Sequence, residues 1–269
     1  MKSMIKEEIS RIRGIMSINE DDVGRYIDST YLQTAEQAGV DEFETDKRVF
    51  DTIKDAIEHD MKLVMLRPEY VAAARALIDR QGYSGRVLVG TVIGFPHGNS
   101  EHGTKMDEAL EAIQNGVDEL DFVVDYNAFK SGNLDKVMKE VSEGTAIGID
   151  ERKTVKWIIE SAALSSEEIA ELTGLISKIA VETVGPEKAR NVFVKTSTGF
   201  YKPESGGHGG ATTEDVSIMS QNAGPLQVKA SGGIYSKDDL QKMLDAGATR
   251  IGTSVAKEII LDKEIDTNY

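Results

Sequence analysis

Eight short apolar runs recur along this 269-residue chain, spaced by stretches of helical periodicity, and no Pro- or Ser-rich linker divides them. The runs predict strands near Tyr26–Ser29, Lys62–Leu66, Arg86–Ile93, Glu119–Val124, Thr154–Glu160, Asn191–Ser197, Gln227–Ser231 and Arg250–Thr253. Helices are predicted over Glu69–Ile78, Met106–Asn115, Ser166–Val181 and Ser236–Ala246, the last stopped by Gly247. Ile5, Ile9, Ile12 and Met16 add an amphipathic helix in front. This alternation predicts an α/β fold, a single (β/α)8 TIM barrel over residues 1–269, with a helical extension at 1–24 and a C-terminal helix or tail at 256–269. An open doubly wound sheet would place a G-x-G-x-x-G turn after its first strand; here that strand runs into Asp28-Ser29-Thr30-Tyr31, without glycine.

Charge narrows the partners. With 31 basic and 46 acidic residues the net charge is −15, which argues against nucleic acid or anionic lipid. An anionic substrate must then be held by local donors, such as glycine-rich turns, helix N-termini and isolated lysines. Cysteine is absent, and the first residues form no signal-like apolar run, so the expected location is cytoplasmic. No apolar stretch reaches the roughly 18 residues of a membrane span. His59, His97, His102 and His208 show neither metal-ligand spacing nor clustered carboxylates, so neither metal nor cofactor is expected. The oligomeric state stays open, a homo-oligomer included, since the front helix can cover the barrel bottom or meet a partner.

Three successive predicted strands carry a lysine in or at the edge of an apolar run: Lys156 in Val155–Glu160, Lys195 closing Val192–Val194, and Lys229 in Gln227–Ser231. Strand side chains alternate faces, so Lys195 shares a side with Phe193 and Ser197. Pointing into a barrel, the three ammonium groups would approach one another, and burial and repulsion would both lower at least one pKa. A lysine neutral near pH 7 attacks carbonyls. The alternative is three surface lysines snorkelling out at strand ends. Asp121, flanked by Leu120 and Phe122, would meet the lysines and shuttle protons if it points inward, or pair with an outer helix if not. Asp28 at the top of the first strand is a similar carboxylate, or the N-cap of the next turn.

Barrels bind phosphate with the loops after strands seven and eight. Gly232 and Gly233 follow the seventh strand here, and Gly252 with Ser254 stand at the eighth. A third glycine-rich stretch, Gly199–Gly210, follows Lys195 and either closes over the site, with Lys202 adding charge, or lies in solvent. The Phe95–Asn99 turn reads as loop architecture.

Nearly the whole chain resembles the deoxyribose-phosphate aldolases. The resemblance is carried by Ile27–Thr30, Gly94–Gly98, Glu119–Asp121, Lys156–Glu160, Val194–Phe200, Lys229–Gly233 and Gly252–Ser254. It implies a class I aldolase, an aldehyde-lyase that reversibly cleaves 2-deoxy-D-ribose 5-phosphate to D-glyceraldehyde 3-phosphate and acetaldehyde. It further implies that Lys195 forms the Schiff base, Lys229 lowers its pKa and Asp121 joins proton transfer. Lys156 would lie beside the carbinolamine and Asp28 near the sugar hydroxyls. The phosphate would rest on Gly199, Gly232, Gly233, Gly252 and Ser254, with Thr198 a further substrate contact.

Four departures from the family pattern bear on substrate range. Ser29, Tyr31, Gln33 and Thr34 replace the usual His, Leu, Lys and Pro; Met65 stands where some members have cysteine; Tyr235 replaces a frequent arginine; and the Tyr201–Gly209 stretch is long. Some members use a C-terminal tyrosine in proton transfer, the place Tyr269 occupies here. Two other readings stay open: a Schiff-base aldolase for another phosphorylated sugar, and a sugar-phosphate-binding barrel without turnover.

Overall fold

The computed structural model describes residues 20–203, 206 and 209–263. Eight strands, β1 (Ile27–Tyr31), β2 (Leu63–Leu66), β3 (Leu88–Ile93), β4 (Glu119–Val123), β5 (Thr154–Ile158), β6 (Val192–Lys195), β7 (Gln227–Ser231) and β8 (Arg250–Thr253), close into one barrel. Every neighbour pair is parallel, β8 returning onto β1 through Ile27↔Ile251 and Asp28↔Gly252. The expected TIM barrel is therefore the fold.

Alternation of side chains makes two separate cores. Outward residues such as Val64, Leu66, Val89, Leu120, Val155 and Val194 pack under the helices as the large apolar core. Trp157 belongs to that layer: it stacks on Phe122 at 4.8 Å, and its indole N–H donates to Thr145 Oγ1 at 3.0 Å. The helix Leu134–Asp150 comes close here because it carries glycine where it crosses the strands. A Cβ on Gly148 would lie 2.2 Å from Val155 Cγ2, and one on Gly144 2.9 Å from the Trp157 ring. Inside the barrel, Leu63, Met65 and Val92 form a smaller apolar cluster with Leu32, Phe95 and Phe200 packed on it. The interior from β4 to β8 is charged instead.

Several boundaries differ from the sequence expectation. Glu20–Tyr26 coils as a 3-10 turn, so β1 begins at Ile27 and runs on to Tyr31. Asp28 is thereby the second residue of a buried strand and not its top, and it caps no turn. Arg86 and Val87 bond back to Tyr83 O, which delays β3 to Leu88. β5 stops at Ile158, before Glu160 turns left-handed, and β6 stops at Lys195. The predicted Ser166–Val181 helix continues to Ala189, across a break at Gly185 ahead of Pro186. Met106–Asn115 starts earlier, at His102, and ends at Gln114; Glu69–Ile78 becomes a 3-10 turn at Pro68–Tyr70 followed by Val71–Arg80; and Ser236–Ala246 trims to Lys237–Asp245. Helices at Glu42–Glu58, Leu134–Asp150 and Thr213–Asn222 were not anticipated, although Asp41, Asn133 and Thr212 cap them through side-chain oxygens. Ala256–Ile260 is the helical part of the expected C-terminal segment. The predicted front helix, His208 and Tyr269 lie outside the described residues.

Candidate active site

Lys156, Lys195 and Lys229 all point into the barrel. Each side chain is buried, so the surface-lysine alternative does not describe them. Register sets their heights. Lys195 and Lys229 are direct partners across β6 and β7, while Lys156 opposes Phe193 and Asp121 one layer below. The lysines therefore occupy two levels, where the strand-end expectation had one.

Asp121 is the hub. Its Oδ1 accepts from Lys156 Nζ at 2.5 Å, and its Oδ2 accepts from both Lys195 Nζ at 2.9 Å and Lys229 Nζ at 3.0 Å. Asp28 meets Lys229 Nζ at 2.5 Å and Arg250 at 2.7 Å. Glu119 meets Lys156 Nζ at 2.6 Å and Arg250 at 3.2 Å. The guanidinium also lies over the Phe193 ring, 5.5 Å from its centre.

Glu119 and Arg250 were missed in the sequence because each opens its strand, a place where charged residues ordinarily face solvent. The signal for Glu119 was its spacing of two from Asp121, which puts both carboxylates on one face.

The electrostatics single out one amine. Burial opposes ionisation throughout, but Asp121 is held well below the usual carboxylate range by Lys156, Lys195 and Lys229. Asp28 is likewise lowered, chiefly by Arg250 and then Lys229, against its burial. Lys156 overcomes burial through Asp121 and Glu119 and is raised above an ordinary lysine. Lys195 goes the other way. Burial outweighs its one carboxylate partner, Lys229 repels it further, and its pKa drops to about 8. Among the described residues, the carboxylates of Asp28, Glu119 and Asp121 thus face four basic side chains, Lys156, Lys195, Lys229 and Arg250.

A cavity of about 260 Å³ is bordered by Pro96, His97, Tyr126, Glu160, Thr198, Phe200, Tyr201 and Lys202, from the segments that follow β3, β4, β5 and β6. The described start of the loop after β6 borders this cavity: Phe200 packs edge-on against Phe95 at 5.1 Å and Tyr201 against Tyr126 at 6.4 Å. Pro96 and His97 of the Phe95–Asn99 turn border it too.

The expected phosphate residues are brought partly together. Gly232 approaches the returning end of the β6 loop, where the Ala211 N–H donates to Ser231 O and Gly232 O at 3.1 and 3.0 Å. Gly199, Gly232 and Gly233 all have positive φ, at 84°, 82° and 74°, which glycine adopts freely. Gly252 has a further reason to be glycine: a Cβ there would lie 3.0 Å from Lys229 Cε. Ser254 follows β8 and is exposed. Thr198 Oγ1 is engaged with Glu160 and with the Phe200 N–H.

One histidine departs from expectation. Asp55 and Glu58 lie with their carboxylates beside His59 on one helix end, and Lys257 pairs with Asp55 at 2.6 Å. Helical spacing brings these groups together, outside the lysine cluster.

The profile of the DeoC/LacD family aldolases matches residues 27–257. The deoxyribose-phosphate aldolase of Staphylococcus haemolyticus is 39% identical over 91% of this chain and 98% of its own length. That of Staphylococcus carnosus is 38% identical over 92% of this chain and all of its own. Among solved structures, the tetrameric deoxyribose phosphate aldolase from Aeropyrum pernix superposes with a TM-score of 0.71 at 27% identity, covering 91% of this chain and 92% of that one.

Proposed function

Since this chain belongs to the DeoC/LacD family of aldolases, we propose that it is a class I aldolase cleaving 2-deoxy-D-ribose 5-phosphate reversibly to D-glyceraldehyde 3-phosphate and acetaldehyde. The observation that carries this reading is Lys195: a buried amine with a depressed pKa, set between Asp121 and Lys229 at the end of β6.

Neutral Lys195 Nζ attacks the open-chain aldehyde, and the carbinolamine loses water to give an iminium. That cation receives the electron pair of the C2–C3 bond as it breaks; the C3 hydroxyl gives its proton to water, glyceraldehyde phosphate leaves with C3 as its aldehyde carbon, and an enamine remains. Reprotonation and hydrolysis then release acetaldehyde. Asp121, held ionised by the three lysines, stabilises the cation at Nζ and joins proton transfer by orienting the water that carries the proton. Lys156 keeps its charge and fixes Asp121 from below, beside the carbinolamine. Lys229 helps hold Lys195 neutral, while Asp28 holds Lys229 and lies toward the sugar hydroxyls. Gly199, Gly232, Gly233, Gly252 and Ser254 are the proposed phosphate cradle, with Thr198 beside it.

Borohydride reduction in the presence of acetaldehyde tests the assignment: the added mass belongs on the peptide containing Lys195, and label elsewhere refutes it. Cleavage rates on deoxyribose, ribose and fructose phosphates then define the sugar. The tetrameric Aeropyrum relative supports a homo-oligomer, which light scattering tests. A cytoplasmic location is in keeping with a cysteine-free chain, and no helix among the described residues is long and apolar enough to cross a membrane.

A further inference from the structure

Glu160 stands outside the charge cluster, yet its side chain is buried and lines the cavity bordered by Thr198 and Phe200. It follows the end of β5 with φ 54° and ψ 64°, a left-handed backbone that a residue bearing a Cβ adopts only against strain. That backbone aims the carboxylate across to the segment after β6. Both carboxylate oxygens accept the Thr198 N–H at 3.3 Å, and Oε2 also accepts the Thr198 hydroxyl. Thr198 Oγ1 in turn accepts the Phe200 N–H at 3.1 Å, while the neighbouring Ser161 N–H donates to Thr196 O at 2.8 Å. These bonds brace the chain on both sides of Gly199.

Among the described residues no ion pair neutralises Glu160. Burial pushes its pKa up to about 7, the Thr198 bonds pull against that, and Lys195 adds a weaker attraction. His97, Tyr126, Tyr201 and Lys202 face the same cavity. A carboxylate kept at this cost, on a strained backbone and committed to one threonine, calls for a reason beyond packing.

We propose that Glu160 is a positioning residue for the sugar phosphate: through Thr198 it fixes the Gly199 peptide so that its N–H presents to the phosphate. This rests on the phosphorylated-sugar reading above. Substrate binding, more than the bond cleavage at Lys195, therefore depends on Glu160.

The test is steady-state kinetics of the full chain with Glu160→Ala, Glu160→Gln and Thr198→Val. For 2-deoxyribose 5-phosphate, KM should rise about ten- to a hundredfold in Glu160→Ala while kcat stays within about threefold. Glu160→Gln, which keeps the shape and one acceptor, should recover part of the loss. Thr198→Val should reproduce the rise, and combining it with Glu160→Ala should add little, because the two residues act as one unit. Borohydride should still fix acetaldehyde onto Lys195 in each variant. KM for unphosphorylated 2-deoxyribose rising by the same factor, or kcat falling with KM unchanged, would overturn the proposal. Wild-type protein that takes no label at Lys195 overturns the aldolase reading and this one with it; normal wild-type labelling with an unsplit loss overturns this one alone. Should Glu160→Ala fail to fold, Glu160→Gln decides by the same criteria, with a smaller rise in KM.

Discussion

Lys195 and Lys229 are register partners on adjacent strands, and their ammonium nitrogens meet the same oxygen, Asp121 Oδ2, at 2.9 and 3.0 Å. One carboxylate oxygen cannot fully compensate two buried cations. Lys156 escapes the difficulty by having Glu119 as well, and Lys229 by having Asp28. Among the described residues Lys195 forms an ion pair with Asp121 alone. Burial and the Lys229 ammonium lower its pKa to about 8.

The rate of Schiff-base formation should follow that proton. With a lysine pKa near 8, kcat/KM should climb about tenfold per pH unit below that value and level off above it, as the neutral fraction saturates. Lys229→Leu removes a repelling charge, so the Lys195 pKa rises and the limb moves to higher pH. A pH–rate profile of both proteins checks this, and a limb unmoved or moved to lower pH contradicts the electrostatic role.

Asp121→Asn leaves three buried cations sharing one fewer carboxylate. We expect kcat to fall by about 10²–10⁴, since an oriented anion at the developing iminium is lost. Thermal stability should fall as well, by about 3–5 kcal/mol, because buried charges lose their partner. Full activity in a correctly folded Asp121→Asn protein would remove Asp121 from the chemistry.

Gly252→Ala sets a methyl group 3.0 Å from both Lys229 Cε and Ser231 Cβ. Lys229 must shift, at a cost of about 1–3 kcal/mol in overpacking. Because the displaced ammonium also changes its distance to Lys195, the acid limb should move together with the melting temperature. A variant that melts early but keeps the wild-type pH profile would mean that Lys229 stayed in place.

A second buried ion pair tests stability apart from chemistry. Lys105 Nζ donates to Glu140, to Val123 O at 2.8 Å and to Gly98 O, tying the turn after β3 to the helix Leu134–Asp150. Lys105→Met should cost about 3–5 kcal/mol by stranding Glu140, and Lys105→Met with Glu140→Leu should regain much of that loss. Denaturant titration of the single and double variants reads it directly.

How much of this was legible beforehand follows from what each residue would cost elsewhere. Lys156, Lys195, Lys229 and Asp121 stood out because a charge within an apolar run is expensive unless something inside answers it. Their two-level arrangement was not legible, since register depends on shear between strands and not on spacing within one. The helix Leu134–Asp150 is not among the expected helices, and the bare backbones of its Gly144 and Gly148 are what let it lie against Val155 and Trp157. Glu160 was visible only as the end of a strand. Its partner, Thr198, is 38 residues away and meets it only once β5 and β6 are paired.

Arg250 and Asp28 bond across 222 residues, and Lys229 reaches Asp28 across 201. Asp28 sits in the first strand and waits for both partners from the last two. An incomplete barrel lacking β7 and β8 leaves Asp28 with Lys156 at 3.8 Å and without its two shorter partners at 2.5 and 2.7 Å. Closure through β7 and β8 therefore completes the charge balance around Asp28. Fragments ending before β7 should remain open and prone to aggregate, so this barrel is a poor subject for splitting into halves or for permutation between its first and last strands.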